Sequence, residues 1–157
     1  GTPILYCQER MGRNGKNYMM YKYRTMVKDA EKNGIQVTVA NDQRITRVGQ
    51  ALRKSHLDEL PQFFNVLLGQ MSMVGPRAER DELVQKLQEE VPFYRARLLV
   101  KPGLTGWAQV NFGYAATVED TGIKLEYDLY YIKARSLVLD IIIIFRTIGN
   151  VLGLRGR

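Results

Sequence analysis

Two adjacent carboxylates, Asp58 and Glu59, stand in the run Ser55-His56-Leu57-Asp58-Glu59-Leu60-Pro61, just ahead of an apolar stretch. Leu60, Phe63, Phe64 and Leu67 follow at the spacing of one helical face, so the pair falls near a helix N-terminus. Pro61 must lie early in that helix, where a missing N–H is tolerated, or it forces a kink. Two readings share this location. In one, Ser55 caps the helix with Asp58 as its capping-box partner, and both carboxylates complement the helix dipole. In the other, the free N–H groups of the helix end attract phosphate, and an ionised carboxylate beside them can attack phosphorus. Neighbouring helical residues point about 100° apart, which favours a division of labour: one carboxylate on phosphorus, the other on a metal. Phosphoryl transfer also needs cations on the non-bridging oxygens, and Arg53, Lys54 and Arg77 are close in sequence.

Other chemistries have less material. His56 is the single histidine, so no histidine metal cluster forms; it reads as a polar residue in a first helical turn rather than as a triad base. There is neither a Gly-x-Gly-x-x-Gly motif nor a P-loop. Cys7 is the lone cysteine, so no intrachain disulfide forms and a reducing compartment is the simpler expectation. Its place in an apolar-rich strand reads as a small buried side chain rather than a reactive thiol. Trp107 and the tyrosines can stack on bases, but such residues are more often core or interfacial.

The elements that must position Asp58 and Glu59 belong to a chain of 157 residues, enough for one domain with a core. With 45% hydrophobic and 25% charged residues it reads as folded rather than disordered. A net charge of +7 favours anionic partners: nucleotides, nucleic acid or an anionic membrane face. No signal peptide opens the chain, and no apolar run is long enough to span a bilayer. Gly1-Thr2-Pro3 leads almost directly into a strand, so a piece of a longer protein is expected.

Ile4 to Arg10 and Asn17 to Met26 read as the two strands of a hairpin around Asn14-Gly15, whose residues tolerate the positive φ of a type I′ turn. In the second strand Tyr21, Tyr23 and Thr25 face one way, and Lys22 and Arg24 the other, either as a solvated cationic face or as ligand contacts. Residues 27–43 read as a polar loop with a turn at Asn33-Gly34 and at most one short strand. A helix is expected over Asp42–Lys54, then the helix after Ser55, then a helix from Pro76 to Glu90 with Leu83, Val84 and Leu87 inward. A helical piece over Phe93–Leu99, a strand over Thr105–Val110 and a helix over Thr117–Lys133 follow. The last segment, Ser136 to Leu154, gathers Asp140, Arg146, Thr147 and Asn150 into one polar stripe on a strongly apolar helix. Such a helix is either core or lies in a membrane interface, with Arg155 and Arg157 near anionic head groups. The fold class is therefore α+β: a small antiparallel hairpin packed with several helices in one domain, ending in an amphipathic helix near the membrane interface.

The motifs together resemble the bacterial sugar transferase family, the monotopic phosphoglycosyl transferases. The runs that carry the resemblance are Gln8-Glu9-Arg10-Met11-Gly12-Arg13-Asn14-Gly15-Lys16, Tyr21-Lys22-Tyr23-Arg24-Thr25-Met26, Arg44-Ile45-Thr46-Arg47-Val48-Gly49, Leu57-Asp58-Glu59-Leu60-Pro61-Gln62 with Phe64-Asn65-Val66, Met71-Ser72-Met73-Val74-Gly75-Pro76-Arg77, Pro102-Gly103-Leu104-Thr105-Gly106-Trp107-Ala108-Gln109-Val110-Asn111 and Tyr127-Asp128-Leu129-Tyr130-Tyr131-Ile132-Lys133. They cover nearly the whole chain in the family's order.

The resemblance implies transfer of a sugar 1-phosphate from a UDP-sugar to undecaprenyl phosphate with release of UMP, by a ping-pong mechanism that primes exopolysaccharide or capsule synthesis. It implies Asp58 as nucleophile, Glu59 as the partner carboxylate on Mg²⁺, and Lys22, Arg53 and Arg77 as active-site cations. Arg24 is a weaker candidate from the same strand, and Asp140 matches an acid near the site. Location at the cytoplasmic face of the bacterial inner membrane is implied, with no nucleic-acid partner and with a homo-oligomer left open. The family has Phe where this chain has Tyr23, Pro where it has Ala78, and a hydrophobic re-entrant helix before the first strand. Without that helix the expectation is folding and nucleotide-sugar binding with poor turnover on a lipid acceptor. The competing reading is a non-catalytic basic module that binds anionic lipid or nucleic acid.

Overall fold

The computed structural model describes residues 3–30, 32, 42–112 and 117–153. Strands β1 (Leu5–Met11) and β2 (Asn17–Tyr23) form an antiparallel hairpin in which Leu5 pairs with Tyr23 and Met11 with Asn17. Asn14 (φ 58°) and Gly15 (φ 74°) supply the two positive φ angles of the turn, as their side chains allow. The return strand ends at Tyr23, short of Met26, which makes an isolated bridge to Ile45. Asn33-Gly34, Arg155 and Arg157 lie outside the described residues. Cys7 is exposed rather than buried, because β1 and β2 form a two-stranded ribbon with one open face.

Helix α1 (Arg47–Lys54) starts later than the hydrophobic spacing implied. Thr46 caps it by accepting from the Gly49 N–H, while Asp42 instead forms an ion pair with Arg44. Gly49 lies against the Thr25 carbonyl, where a Cβ would collide with that oxygen, so α1 crosses directly on the end of the hairpin. Ser55 does not start the next helix. It closes α1, donating its hydroxyl to the Ala51 carbonyl. His56 then takes a left-handed conformation (φ 56°), and a 3₁₀ turn over Leu57–Glu59 carries the carboxylates ahead of α2 (Gln62–Leu67). The expected capping box is absent because this reversal intervenes between Ser55 and the turn.

Helix α2 has inverted polarity. Gln62 and Asn65 are buried, whereas Leu60, Phe63, Phe64, Leu67 and Leu68 are exposed, Leu67 by 82%. A short parallel pair follows, β3 (Ser72–Val74) on β4 (Gly103–Thr105), with Gly75 and Gly103 in backbone contact. The predicted strand over Thr105–Val110 is thus displaced: β4 ends at Thr105 and Trp107–Asn111 is helix α4. Helix α3 spans Asp81–Glu90, not Pro76–Glu90, and buries Val84 and Leu87 but leaves Leu83 exposed. A 3₁₀ segment, Tyr94–Leu99, leads into β4. Helix α5 (Val118–Ala134) opens with a capping box between Thr117 and Asp120.

Helix α6 (Leu137–Leu152) follows after Ser136. Its polar stripe faces the protein: Asp140 accepts from the Tyr131 hydroxyl, Thr147 meets Thr105, and Arg146 donates to Asn111 and covers the Trp107 ring. Its outward face carries Leu137, Val138, Ile141, Phe145 and Leu152, with Phe145 70% exposed. Among the described residues, no helix is long and apolar enough to cross a membrane. The core is divided into three clusters. Met11, Val84, Leu87, Val91, Tyr94 and Leu125 form one; Tyr18, Met20, Met71 and Ala78 form another; Val74, Tyr131 and Ile143 form the third.

Candidate active site

The carboxylate pair sits where the 3₁₀ turn packs against β2. Lys22, on the face of β2 opposite Tyr21, donates from Nζ to Glu59 Oε1 at 3.0 Å. Arg77, three residues beyond β3, reaches the same oxygen from Nη2 at 3.4 Å. The alternation of β2 therefore aims Lys22 at the Glu59 carboxylate rather than at solvent; its side chain is 16% exposed. Burial alone pushes the Glu59 carboxyl up, but Lys22 and Arg77 outweigh it and hold the group down at about 2. Glu59 is thus a fixed anion with one oxygen occupied by two cations.

Asp58 is in a different state. It is 9% exposed, and among the described residues its carboxylate takes no hydrogen bond and no ion pair. Burial, and then the charge of Glu59, push its pKa up; Lys22 and Arg53 pull the other way. A carboxylate that is desolvated and unpaired keeps its lone pairs available, which is what an oxygen nucleophile requires. The left-handed His56 sets this geometry by turning the chain sharply between α1 and the carboxylates.

Arg53, on α1, donates from Nε to Thr25 Oγ1 at 2.9 Å, so its guanidinium is fixed near Asp58 without touching it. Lys22, Arg53 and Arg77 thus converge on the two carboxylates from three different elements. Arg24 does not join them. It donates to the Pro3 carbonyl and lies over the Tyr6 ring at the open end of the hairpin. Asp140 is engaged by Tyr131 and lines a separate cavity in whose wall neither Asp58 nor Glu59 takes part.

Two buried polar groups to which the sequence reading gave no role, Asn65 within one of the motifs and Arg97 outside them, hold the site together. Asn65 is fully buried. Its Nδ2 donates to the Met19 carbonyl at 2.7 Å and to Gln70 Oε1, and its Oδ1 accepts from the Tyr21 N–H at 3.2 Å. This fastens α2 to β2 immediately beside Lys22. Arg97, 4% exposed, donates to the Arg77 carbonyl at 3.0 Å, to Asp128 Oδ2 at 2.8 Å and to the Tyr94 hydroxyl. Glu79 adds ion pairs with Lys124, Arg97 and Arg10. The backbone that carries Arg77 is thereby held from below. The available signal was the spacing Leu125, Asp128, Tyr131, which places a carboxylate on the inner face of α5 and calls for a buried cationic partner.

A Mg²⁺ ion is compatible with this donor set. It needs only one or two carboxylates when substrate phosphates complete its shell, and Glu59 Oε2 and the Asp58 carboxylate accept no hydrogen bond among the described residues. No group of three or more His, Cys, Asp or Glu side chains that could hold a metal by themselves occurs among the described residues. The arrangement matches an ion shared with a phosphorylated ligand rather than a permanent protein cage.

A pair of carboxylates ringed by lysine and arginine thus sits on an α+β frame. The Bacterial sugar transferase family matches residues 1–154, and the chain belongs to that family. Over 150 residues it is 49% identical to a UDP-N-acetylgalactosamine-undecaprenyl-phosphate N-acetylgalactosaminephosphotransferase of Aeromonas hydrophila, covering 96% of this chain and 36% of that protein. It is 47% identical to a UDP-glucose:undecaprenyl-phosphate glucose-1-phosphate transferase of Xanthomonas campestris pv. campestris, covering 96% of this chain and 32% of that protein. It is also 41% identical to the exopolysaccharide production protein PSS of Rhizobium leguminosarum bv. phaseoli, over 96% of this chain and 78% of that protein. The chain thus spans about a third of the length of the first two relatives.

Proposed function

We propose that the chain is a phosphoglycosyl transferase unit that moves a sugar 1-phosphate from a UDP-sugar to undecaprenyl phosphate, releasing UMP. The observation that carries this reading is the contrast within the pair: Asp58 buried and unpaired, Glu59 clamped by Lys22 and Arg77. The names of the relatives supply the substrate class.

In the first half-reaction an Asp58 carboxylate oxygen attacks the β-phosphorus of the UDP-sugar. A new O–P bond forms, and the bond from that phosphorus to the bridging oxygen breaks. UMP leaves with the electron pair, and an aspartyl phosphosugar remains. In the second half-reaction a phosphate oxygen of undecaprenyl phosphate attacks the same phosphorus, and Asp58 leaves as a carboxylate. Lys22 and Arg77 hold the anion of Glu59 and set positive potential beside the transferred phosphoryl group; Arg53 does the same from α1. Glu59, with Asp58 beside it, would hold Mg²⁺. The ion would supply charge neutralisation on the diphosphate.

The acceptor is a lipid, and the protein presents matching surfaces. Helices α2 and α6 both leave large apolar side chains exposed, Phe63, Phe64 and Leu67 on one and Leu137, Val138, Ile141, Phe145 and Leu152 on the other, while Gln62, Asn65, Asp140 and Thr147 are turned to the protein. These faces are read as resting in one leaflet of the membrane, on its cytoplasmic side, in a priming step of exopolysaccharide or related glycan synthesis. The test is UMP release from UDP-glucose and UDP-N-acetylgalactosamine with undecaprenyl phosphate, with and without Mg²⁺. Metal-dependent release that requires the lipid acceptor for sustained turnover is expected. No release from any UDP-sugar tested would sink the proposal.

A further inference from the structure

A second charged cavity lies away from the carboxylate pair. It encloses about 350 Å³ and is walled by Arg13 from the hairpin turn, Lys101 from the segment before β4, Arg135 and Ser136 from the α5–α6 junction, and Asp140 and Leu137 of α6. Among the described residues Arg13, Lys101 and Arg135 take no ion pair and no side-chain hydrogen bond, unlike Arg10, Arg44, Arg77 and Arg97. The single carboxylate in the wall, Asp140, is occupied by the Tyr131 hydroxyl at 2.8 Å. Three cations without an ion pair, set against one carboxylate, therefore line one concave space of net positive charge.

The position of the cavity selects the kind of anion. Leu137 lines it and is also 76% exposed, and Val138 beside it is 68% exposed. The cationic wall thus meets the start of the outward apolar face of α6. Water on one side and hydrocarbon on the other is the setting of a lipid head group, whose phosphate lies at the boundary between them.

We propose that this cavity binds the phosphate head group of an anionic phospholipid in the leaflet that α6 contacts. The site seats the protein on the membrane and is distinct from the groups that perform transfer. It rests on the membrane-facing part of the reading above, though not on the chemistry of Asp58. The cations act together: each basic side chain near an anionic surface contributes on the order of 1 kcal/mol, so removing three lowers affinity by roughly 100-fold.

The experiment measures partition of the protein onto phosphatidylcholine vesicles and onto vesicles of phosphatidylcholine with phosphatidylglycerol. The variant Arg13→Gln/Lys101→Gln/Arg135→Gln is compared with the charge-matched control Lys28→Gln/Arg47→Gln/Lys86→Gln, whose side chains are exposed elsewhere. The expected result is loss of roughly 100-fold in affinity for the anionic vesicles in the first variant, with binding to neutral vesicles unchanged, and a loss below about 3-fold in the control. Equal losses in the two variants overturn the site in favour of diffuse charge attraction. Displacement of the anionic preference by inorganic phosphate, but not by chloride at equal ionic strength, overturns the lipid as ligand and marks a free-anion site. Failure to bind either vesicle overturns the membrane reading and the site with it, while leaving UMP release as an independent measure of the chemistry.

Discussion

Lys22 Nζ and Glu59 Oε1 stand 3.0 Å apart, joining the second strand of the hairpin to the turn that carries the nucleophile candidate. The contact fixes the charge of Glu59 and orients the turn on which Asp58 sits. Replacing Lys22 by Ala leaves Glu59 with Arg77 alone and removes positive potential from the phosphoryl site. UMP release should fall on the order of 100-fold, read as initial rates with undecaprenyl phosphate. A change of less than about 3-fold would place Lys22 outside the working site.

The two carboxylates respond oppositely to acid. Burial and the charge of Glu59 raise the Asp58 pKa, so as pH falls it takes up its proton, and loses the ability to attack, earlier than an ordinary carboxylate. The acid limb of the rate profile should lie above the ordinary carboxylate value of 3.8. Because Arg53 pulls the Asp58 pKa down, Arg53→Gln should move the limb further up; an unmoved limb would detach Arg53 from Asp58.

Stability carries the sign of Glu59. Its folded pKa of about 2 lies below the ordinary value of 4.5, so the unfolded chain binds the proton more readily. The stabilisation from Glu59 is complete above 4.5 and is lost as pH falls towards about 2. Glu79, also held at about 2, adds to the same window. Urea midpoints measured from pH 6 to pH 2 should fall less steeply in Glu59→Gln than in the parent.

Arg97 holds the backbone of Arg77 from a buried ion pair with Asp128. Arg97→Ala leaves Asp128 buried without its partner and should cost about 3–5 kcal/mol of stability in denaturant titrations. Asn65→Ala removes two hydrogen bonds between α2 and β2 and a third to Gln70, and should cost roughly 1–3 kcal/mol.

The outward side chains of α6 should matter for membranes and little for folding. Phe145→Ser removes a 70% exposed phenyl ring, so thermal stability should shift little while partition onto vesicles weakens about 10-fold. A large stability loss with unchanged partition would show that this face packs on protein.

Much of the site was legible because it rests on local patterns. The Asn14-Gly15 turn, the alternation that separates Lys22 from Tyr21, and the polar stripe of α6 each follow from a short-range period or a residue's dihedral freedom. The resemblance pointed to Asp58, Glu59, Lys22, Arg53 and Arg77, and the structure brings these five together. What the sequence hid depends on contacts between distant segments. Asn65 stood in a motif without a role, and only the position of β2 shows that its amide bonds to the strand backbone at Met19 and Tyr21. The left-handed His56 has no periodic signature, so Ser55 read as the start of a helix when it is the end of one. Trp107 read as strand because its neighbours are apolar, but β4 ends at Thr105, where pairing with β3 stops. The apolar spacing of α2 showed one shared face but not its exposure, because hydrophobic spacing does not report which solvent a face meets.

In the proposed reaction Asp58 becomes covalently bonded to the transferred phosphosugar. Intact-protein mass spectrometry after brief incubation with a UDP-sugar and Mg²⁺, without lipid acceptor, tests it most directly. The predicted result is a mass increase equal to one sugar phosphate, mapped to the Asp58 peptide, lost on adding undecaprenyl phosphate and absent in Asp58→Asn. UMP release in Asp58→Asn at the parent rate, or an adduct mapped to another residue, would contradict it.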